Sequence, residues 1–396
     1  MAKTVRRGRH FLHVPGPSNV PDRIARAMDN PIIDHRGPEY VELCKGVCAG
    51  MKRVFRTSGP VAIYPSSGTG AWEAALLNTL SPGDKVLAFE TGQFSTLWRV
   101  MAEKHGLQVE FVPGDWRHPI DPGEAERRLV ADKGHAIKAV TVVHSETSTG
   151  VLSAVPAIRQ AIDRAKHPAL FMVDTISSLG VHDYRHDEWG VDVSIGGAQK
   201  GLMLPPGLGF NAISAKAIAA NKTAKLPHAY FDWQPMIDAN ESGLYPFTPA
   251  TGHFFGLREA VAMLEEEGLE NVVARHDRLA EAARRAVRAW GLEVLCADPR
   301  AYANALTAIL LPEGVNADAV RGVILDRFDV SLGAGLGKVA GKVFRVGHLG
   351  WINDLMLVGA LAGVEMGLAA AGVKHQSGGV QAAMDYLAGN VAAHGR

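Results

Sequence analysis

Residues 193–201 read VSIGGAQKG. Apolar and small residues run into two glycines, and Ala198, Gln199 and Lys200 follow. That order spells a buried strand that stops abruptly, with a lysine just past its end. Surface lysines ordinarily sit on polar helix faces. A lysine among glycines and apolar residues at a strand end is partly desolvated, which lowers the pKa of its ammonium and frees the amine as a nucleophile or base. A lysine that snorkels out of the sheet edge fits the same stretch. The surroundings decide between the two.

Outward from this stretch, strands and helices alternate. Strands are predicted at 61–65, 86–89, 109–112, 139–143, 169–173, 193–195 and 209–213. Helices are predicted at 71–80, 96–105, 124–131 and 155–166. Such alternation implies an α/β fold with a mainly parallel sheet covered by helices on both faces. Ligands of these sheets bind at the carboxyl ends of the strands.

Several unusual residues fall at those ends. Ser66-Ser67-Gly68-Thr69-Gly70 precedes the helical run AWEAALLNTL. Strand, small-residue turn and helix place backbone N–H groups around one point, which suits a phosphate or simply caps the helix. No Gly-Lys-Ser/Thr follows, so it is not a Walker loop, and it lacks the third glycine of a dinucleotide fingerprint. Phe94, after VLAF, can stack on a flat ligand or fill the core. The run His144-Ser145-Glu146-Thr147-Ser148-Thr149-Gly150 supplies hydroxyls that bond a ligand or cap the next segment. Asp174 closes the apolar run ALFMVD, where a carboxylate either faces a cavity or pairs with a cation.

Together these form a phosphate cradle, a stacking ring, an acid and an amine. A phosphorylated pyridine aldehyde needs all four: the amine bonds the aldehyde, the acid keeps the ring nitrogen protonated, and the turn holds the phosphate. With PGPSNVP, SSGTGAWEAAL, HSETSTGVL, VDTISSLG, GAQKGLMLPPGLG and GKVFRVGHLG in hand, the chain resembles the class V, fold-type I pyridoxal-phosphate aminotransferases. The likeness is greatest to the serine–glyoxylate and alanine–glyoxylate branch. It implies pyridoxal 5'-phosphate as cofactor, with Lys200 bonded to it and Asp174 at the pyridine nitrogen. It further implies Gly68, Thr69 and Gln199 at the phosphate, Thr147 near the ring hydroxyl and Ile176 on the second ring face. Phe94 would stack on the ring where many relatives have tryptophan. Tyr245 and Thr248, in LYPFTPAT, would reach the phosphate of the opposite subunit, so a homodimer with shared active sites is implied. Arg345, in VFRVG, resembles the residue that grips the substrate α-carboxylate; without the resemblance a surface ion pair fits it as well. His348, three positions on, points the other way by strand alternation.

The activity implied is transamination of L-serine with glyoxylate to give hydroxypyruvate and glycine. An alanine–glyoxylate or serine–pyruvate activity uses the same residues. A lyase or desulfurase of the same fold needs a mobile cysteine facing the cofactor, whereas Cys44, Cys48 and Cys296 read as helix or core. A cofactor-binding regulator without catalysis is the remaining alternative; neutral charge and the lack of an appended DNA-binding module speak against it.

Composition sets the outer bounds. The chain has 396 residues, 47% hydrophobic and 21% charged, enough for more than one domain. Lys plus Arg and Asp plus Glu both total 41, so charge suggests neither nucleic acid nor a membrane as partner; the expected partners are small amino and 2-oxo acids. Three cysteines without zinc-like spacing suggest a reducing compartment and no metal site. The basic N-terminus lacks the apolar run of a secretory signal, and the expected location is cytoplasmic. Residues 1–20 read as an extended arm, 21–267 as a large cofactor-binding domain, 268–376 as a smaller α+β domain and 377–396 as a tail helix. The large domain also holds helices at 21–30 and Pro38–Phe55, with the pair His35–Arg36 in the loop between them, and a helix at 256–267. The smaller domain has helices at 271–291 and 318–328, strands at 305–311 and 343–346, and a helix from Asp354 capped by Asn353. The tail carries the stripe Val380, Met384, Leu387 and Val391.

Overall fold

The computed structural model describes residues 8–390. Its central sheet has seven strands in the order Val61–Ser66, Gly207–Ile213, Val193–Gly197, Leu170–Asp174, Ile137–Val143, Lys85–Phe89 and Gln108–Val112. Gly207–Ile213 runs antiparallel to both neighbours, and the other pairs are parallel. Every residue of Leu170–Asp174 and Val193–Gly197 is buried, as continuous apolar strands covered on both faces must be. The α/β architecture is the one predicted, and each predicted strand lies within two residues of its observed bounds.

A second sheet has five strands in the order Phe11–His13, Val330–Ala334, Val343–Gly347, Leu306–Leu310 and Glu293–Val294. Helices Leu269–Ala289, Ala317–Phe328, Asp354–Ala370 and Gly379–Gly389 pack around it. Two main apolar cores result, one around each sheet. Asn353 caps its helix as expected, its side chain accepting from the Met356 amide at 3.0 Å.

Several details differ from the sequence reading. The arm is not merely extended, because Phe11–His13 is an edge strand of the small sheet, parallel to Val330–Ala334. The latter strand is masked in the sequence by its neighbouring glycines. The helix predicted from 256 starts at Thr251, and helices Ala215–Asn221 and Trp233–Ser242 were unassigned. In the tail helix Ala383 and Leu387 are buried, while Met384 faces solvent; Val391 lies outside the described residues.

Candidate active site

The carboxyl ends of the central strands bring the sequence-selected residues together. Lys200 lies just past Val193–Gly197 and is buried. Its Nζ donates to the carbonyl of Pro15 in the N-terminal arm. The arm is tied down beside it: Ser18 Oγ donates to Lys200 O at 2.9 Å, and Ser18 N to Gln199 O at 3.0 Å. Burial, helped by the nearby Arg345 charge, pushes the Lys200 ammonium down to about 7, against the opposing pull of Asp174 and Glu146.

Asp174 ends the neighbouring parallel strand and is also buried. Burial raises its carboxyl to about 7, and the Glu146 charge adds to that. The Ile176 amide, at 2.7 Å, and the Trp72 indole N–H, at 3.0 Å, hold its two oxygens and partly offset the shift. A cation placed against this carboxylate would ionise it, which is the relation a protonated ring nitrogen needs. Trp72 stacks on Trp98 with centroids 5.8 Å apart and meets Phe94 edge-on at 6.3 Å.

The helix Gly68–Leu77 begins where Val61–Ser66 ends. Ala71 N is bonded to Ser67 O, so the amides of Gly68, Thr69 and Gly70 are free of intrahelical acceptors. A methyl group on Gly68 would strike the Ile176 side chain, and one on Gly197 would meet Gln199 Oε1, Ile176 and the Gly68 amide. These contacts set Gly68, Ile176 and Gln199 around one small space. Gln199 Oε1 is buried there without a hydrogen-bond partner. An amide rotated to present its N–H₂ group, beside a helix N-terminus, suits a phosphate.

Thr147 and Ser177 share a hydrogen bond between hydroxyls, and the Thr147 carbonyl accepts from Arg345 at 2.6 Å. Arg345 Nε donates to Ala334 O at 2.7 Å. The guanidinium is buried, and among the described residues it pairs with no carboxylate. A buried fork bonded only to carbonyls retains donors for an incoming carboxylate. His348 lies away from this group, bonded to Asn304 O and Thr307 Oγ1, as strand alternation predicts.

Two expected residues stand apart from the site within one chain. Tyr245 is buried among Phe247 and Phe254, and its hydroxyl donates to the Ile63 carbonyl. Thr248 is exposed. Three contributors escaped the sequence reading. Trp72 was visible only as part of WEAAL. The sequence of Pro15–Ser18 spells only an extended path, whereas in the fold it covers Lys200. Glu146 accepts from the Phe94 and Ser95 amides and from Ser148, so it caps the helix that carries Phe94. Of the three thiols, Cys44 and Cys296 are buried in apolar clusters. Among the described residues no group of metal-ligating side chains occurs, and no helix is long and apolar enough to cross a membrane.

Residues 33–346 match the family model described as Aminotransferase class-V. Over 98% of the chain, the sequence is 50% identical to a protein of Methylorubrum extorquens named serine–glyoxylate aminotransferase, 99% of which is covered. A Paracoccus denitrificans protein named L-aspartate–glyoxylate aminotransferase is 45% identical over 96% of this chain and 97% of its own. The crystal structure of ureidoglycine–glyoxylate aminotransferase from Bacillus subtilis superposes with a TM-score of 0.90 at 28% identity, covering 98% of this chain and 100% of that one.

Proposed function

The chain belongs to the class-V aminotransferases, and from that membership we propose that it transfers the amino group of L-serine to glyoxylate, giving hydroxypyruvate and glycine, with pyridoxal 5'-phosphate as cofactor. The observation that carries the chemistry is the grouping of a desolvated Lys200 and a buried Asp174 at the central strand ends with a carboxylate-free Arg345, which reaches the Thr147 carbonyl from the second sheet. The choice of serine rests on the half-identical relative and on its coverage of nearly the whole chain.

When bound, the cofactor supplies an electron-accepting ring that lets a substrate α-proton leave. Gly68, Thr69 and Gln199 would hold its phosphate, Asp174 its ring nitrogen, Thr147 the side of its hydroxyl, and Phe94 and Ile176 its two faces. Lys200 would bond its aldehyde. In its neutral form, Nζ of Lys200 would take the proton from the substrate α-carbon. Its lowered pKa suits that task near neutral pH. Arg345 would grip the carboxylate that amino donor and keto acceptor share. The Pro15–Ser18 segment excludes water from the lysine. We place Tyr245 and Thr248 with the partner's site in a homodimer, and the enzyme in the cytoplasm.

Two half-reactions at one site require ping-pong kinetics. Initial velocities at varied serine and several fixed glyoxylate concentrations should give parallel reciprocal lines. Intersecting lines would overturn the scheme. Serine, alanine and aspartate should be compared as donors, because a relative named for aspartate is nearly as similar. A higher kcat/KM with aspartate or alanine would replace serine in this assignment.

A further inference from the structure

Arg345 is held from one side by the Ala334 carbonyl, at the end of Val330–Ala334. The chain leaves that carbonyl as Gly335-Leu336-Gly337-Lys338 and crosses to the large domain. Three contacts meet it there. Gly337 has φ +47°, and a methyl group on it would strike Gln93 Oε1 and the Trp116 ring. Lys338 forms an ion pair with Glu90 and lies 5.7 Å above the centre of the Trp116 ring. Trp116 in turn donates its indole N–H to Glu90 at 2.9 Å. Val339 continues into a small apolar cluster with Trp116, Leu306, Ala308 and Val343.

Isolated surface ion pairs contribute little. Here the Lys338 side chain is 59% exposed, but its partner Glu90 is only 11% exposed and is fixed by donations from Trp116 and the Gly114 amide. Burial pushes the Glu90 carboxyl up, but Lys338, Trp116 and that amide outweigh it and hold the group below the usual carboxylate range. Glu90 closes the strand end that leads to Phe94, and Lys338 lies four residues past the carbonyl that orients Arg345.

We propose that Lys338, Glu90 and Trp116 form a latch that fixes the 334–339 segment across the domain boundary, holding Arg345 in place for the carboxylates of both substrates. These are positioning residues, and the inference rests on the reading of Arg345 as the carboxylate grip. The latch acts on binding common to amino donor and keto acceptor, so its loss should appear in both KM values rather than in kcat.

Lys338→Met and Glu90→Gln are compared with the parent, singly and together, in the cofactor-loaded enzyme. Each single variant should raise KM for serine and for glyoxylate by about 3- to 10-fold, with kcat within about 2-fold. The double variant should be no worse than either single one, because both remove the same link. Lys338→Arg should recover most of the loss. The single-turnover rate with ethanolamine, an amine lacking a carboxylate, should be the same in parent and variants; general loosening of the site would lower it. Unchanged KM values, a fall in kcat alone, or additive losses in the double variant would overturn the latch. Arg345→Ala separates this from the underlying reading, with Arg345→Lys in its place if the first does not fold. If neither KM rises there, the carboxylate reading itself fails. If both rise there but not in Lys338→Met, only the latch fails.

Discussion

Lys200 and Asp174 sit in the same desolvated space, and burial pushes them in opposite directions. The lysine loses its proton more readily and the aspartate keeps its own longer. An exposed lysine stays protonated until pH about 10.4, whereas Lys200 titrates at about 7. Cofactor added to the apoenzyme should therefore bond to it at a rate that climbs through pH 7 and levels off by about pH 8.5. Stopped-flow absorbance of the new band measures this. A rate still climbing at pH 10 would show an ordinary lysine. The sign for stability follows from the same shift. Between about 7 and the unfolded value the unfolded chain binds the extra proton, so this group favours the fold increasingly as pH rises through that window. Asp174 contributes the opposite slope: between its unfolded value and about 7 the folded chain holds the extra proton, and stability from this group falls as pH rises there. Asp174→Asn removes the charge that would face the ring nitrogen and keeps one of the two hydrogen bonds, because its amide has a single acceptor oxygen for the Ile176 and Trp72 N–H groups. It should cost about 10²- to 10⁴-fold in kcat and lower the unfolding midpoint by a few degrees, as one buried N–H loses its acceptor. An activity within a few-fold of the parent would remove Asp174 from the chemistry.

At the level of elements, the site is a set of strand ends closed by two segments from elsewhere. One is the arm Pro15–Ser18, and the other is the strand Val343–Gly347 of the second sheet, which brings Arg345 to the Thr147 carbonyl. Gly16 has φ +92°, and a methyl group on it would lie about 2.4–2.6 Å from the Lys200 side chain. Gly16→Ala should accordingly displace the arm or the lysine and lower kcat by at least about 10-fold, while the melting temperature falls little. Full activity in that variant would show that the arm does not govern the lysine. The strand ends were legible in the sequence because each is a long apolar run broken by polar or glycine residues, and that pattern has one structural meaning. Lys200, Asp174 and the Gly68 turn were found that way. The arm was not, because its role depends on pairing between Phe11–His13 and Val330–Ala334, more than 300 residues apart. Trp72 was equally hidden, since a tryptophan on an apolar helix reads as core, and its bond to Asp174 exists only once strand and helix are packed. Glu146 stood in view among hydroxyls, but nothing local says that it caps a helix fifty residues earlier in the chain.

For the whole molecule, the question is whether one chain holds a complete site. Within a single chain Tyr245 is turned into its own core, while Thr248 is exposed three residues later. Large apolar side chains also lie open, with Ile32 82% and Trp351 45% exposed. A symmetric pair that buries them, with Thr248 reaching the partner's phosphate cradle, would make two equivalent shared sites. Thr248 is the better position to test, because changing the buried Tyr245 would disturb packing whatever its function. Thr248→Arg, in both subunits, should block both cradles and abolish cofactor retention, with folding intact by circular dichroism. Lys200→Ala, in both subunits, should be inactive for its own reason. A purified heterodimer with one change in each subunit keeps one site whole, formed by the unchanged Lys200 of one subunit and the unchanged Thr248 of the other, while its second site carries both changes. That heterodimer should recover about half the parent kcat per dimer from two inactive parents. If instead Thr248→Arg is active by itself, the threonine does not reach the partner's site. If the heterodimer stays inactive, the lysine and the threonine belong to the same subunit's site, and one chain alone supplies both.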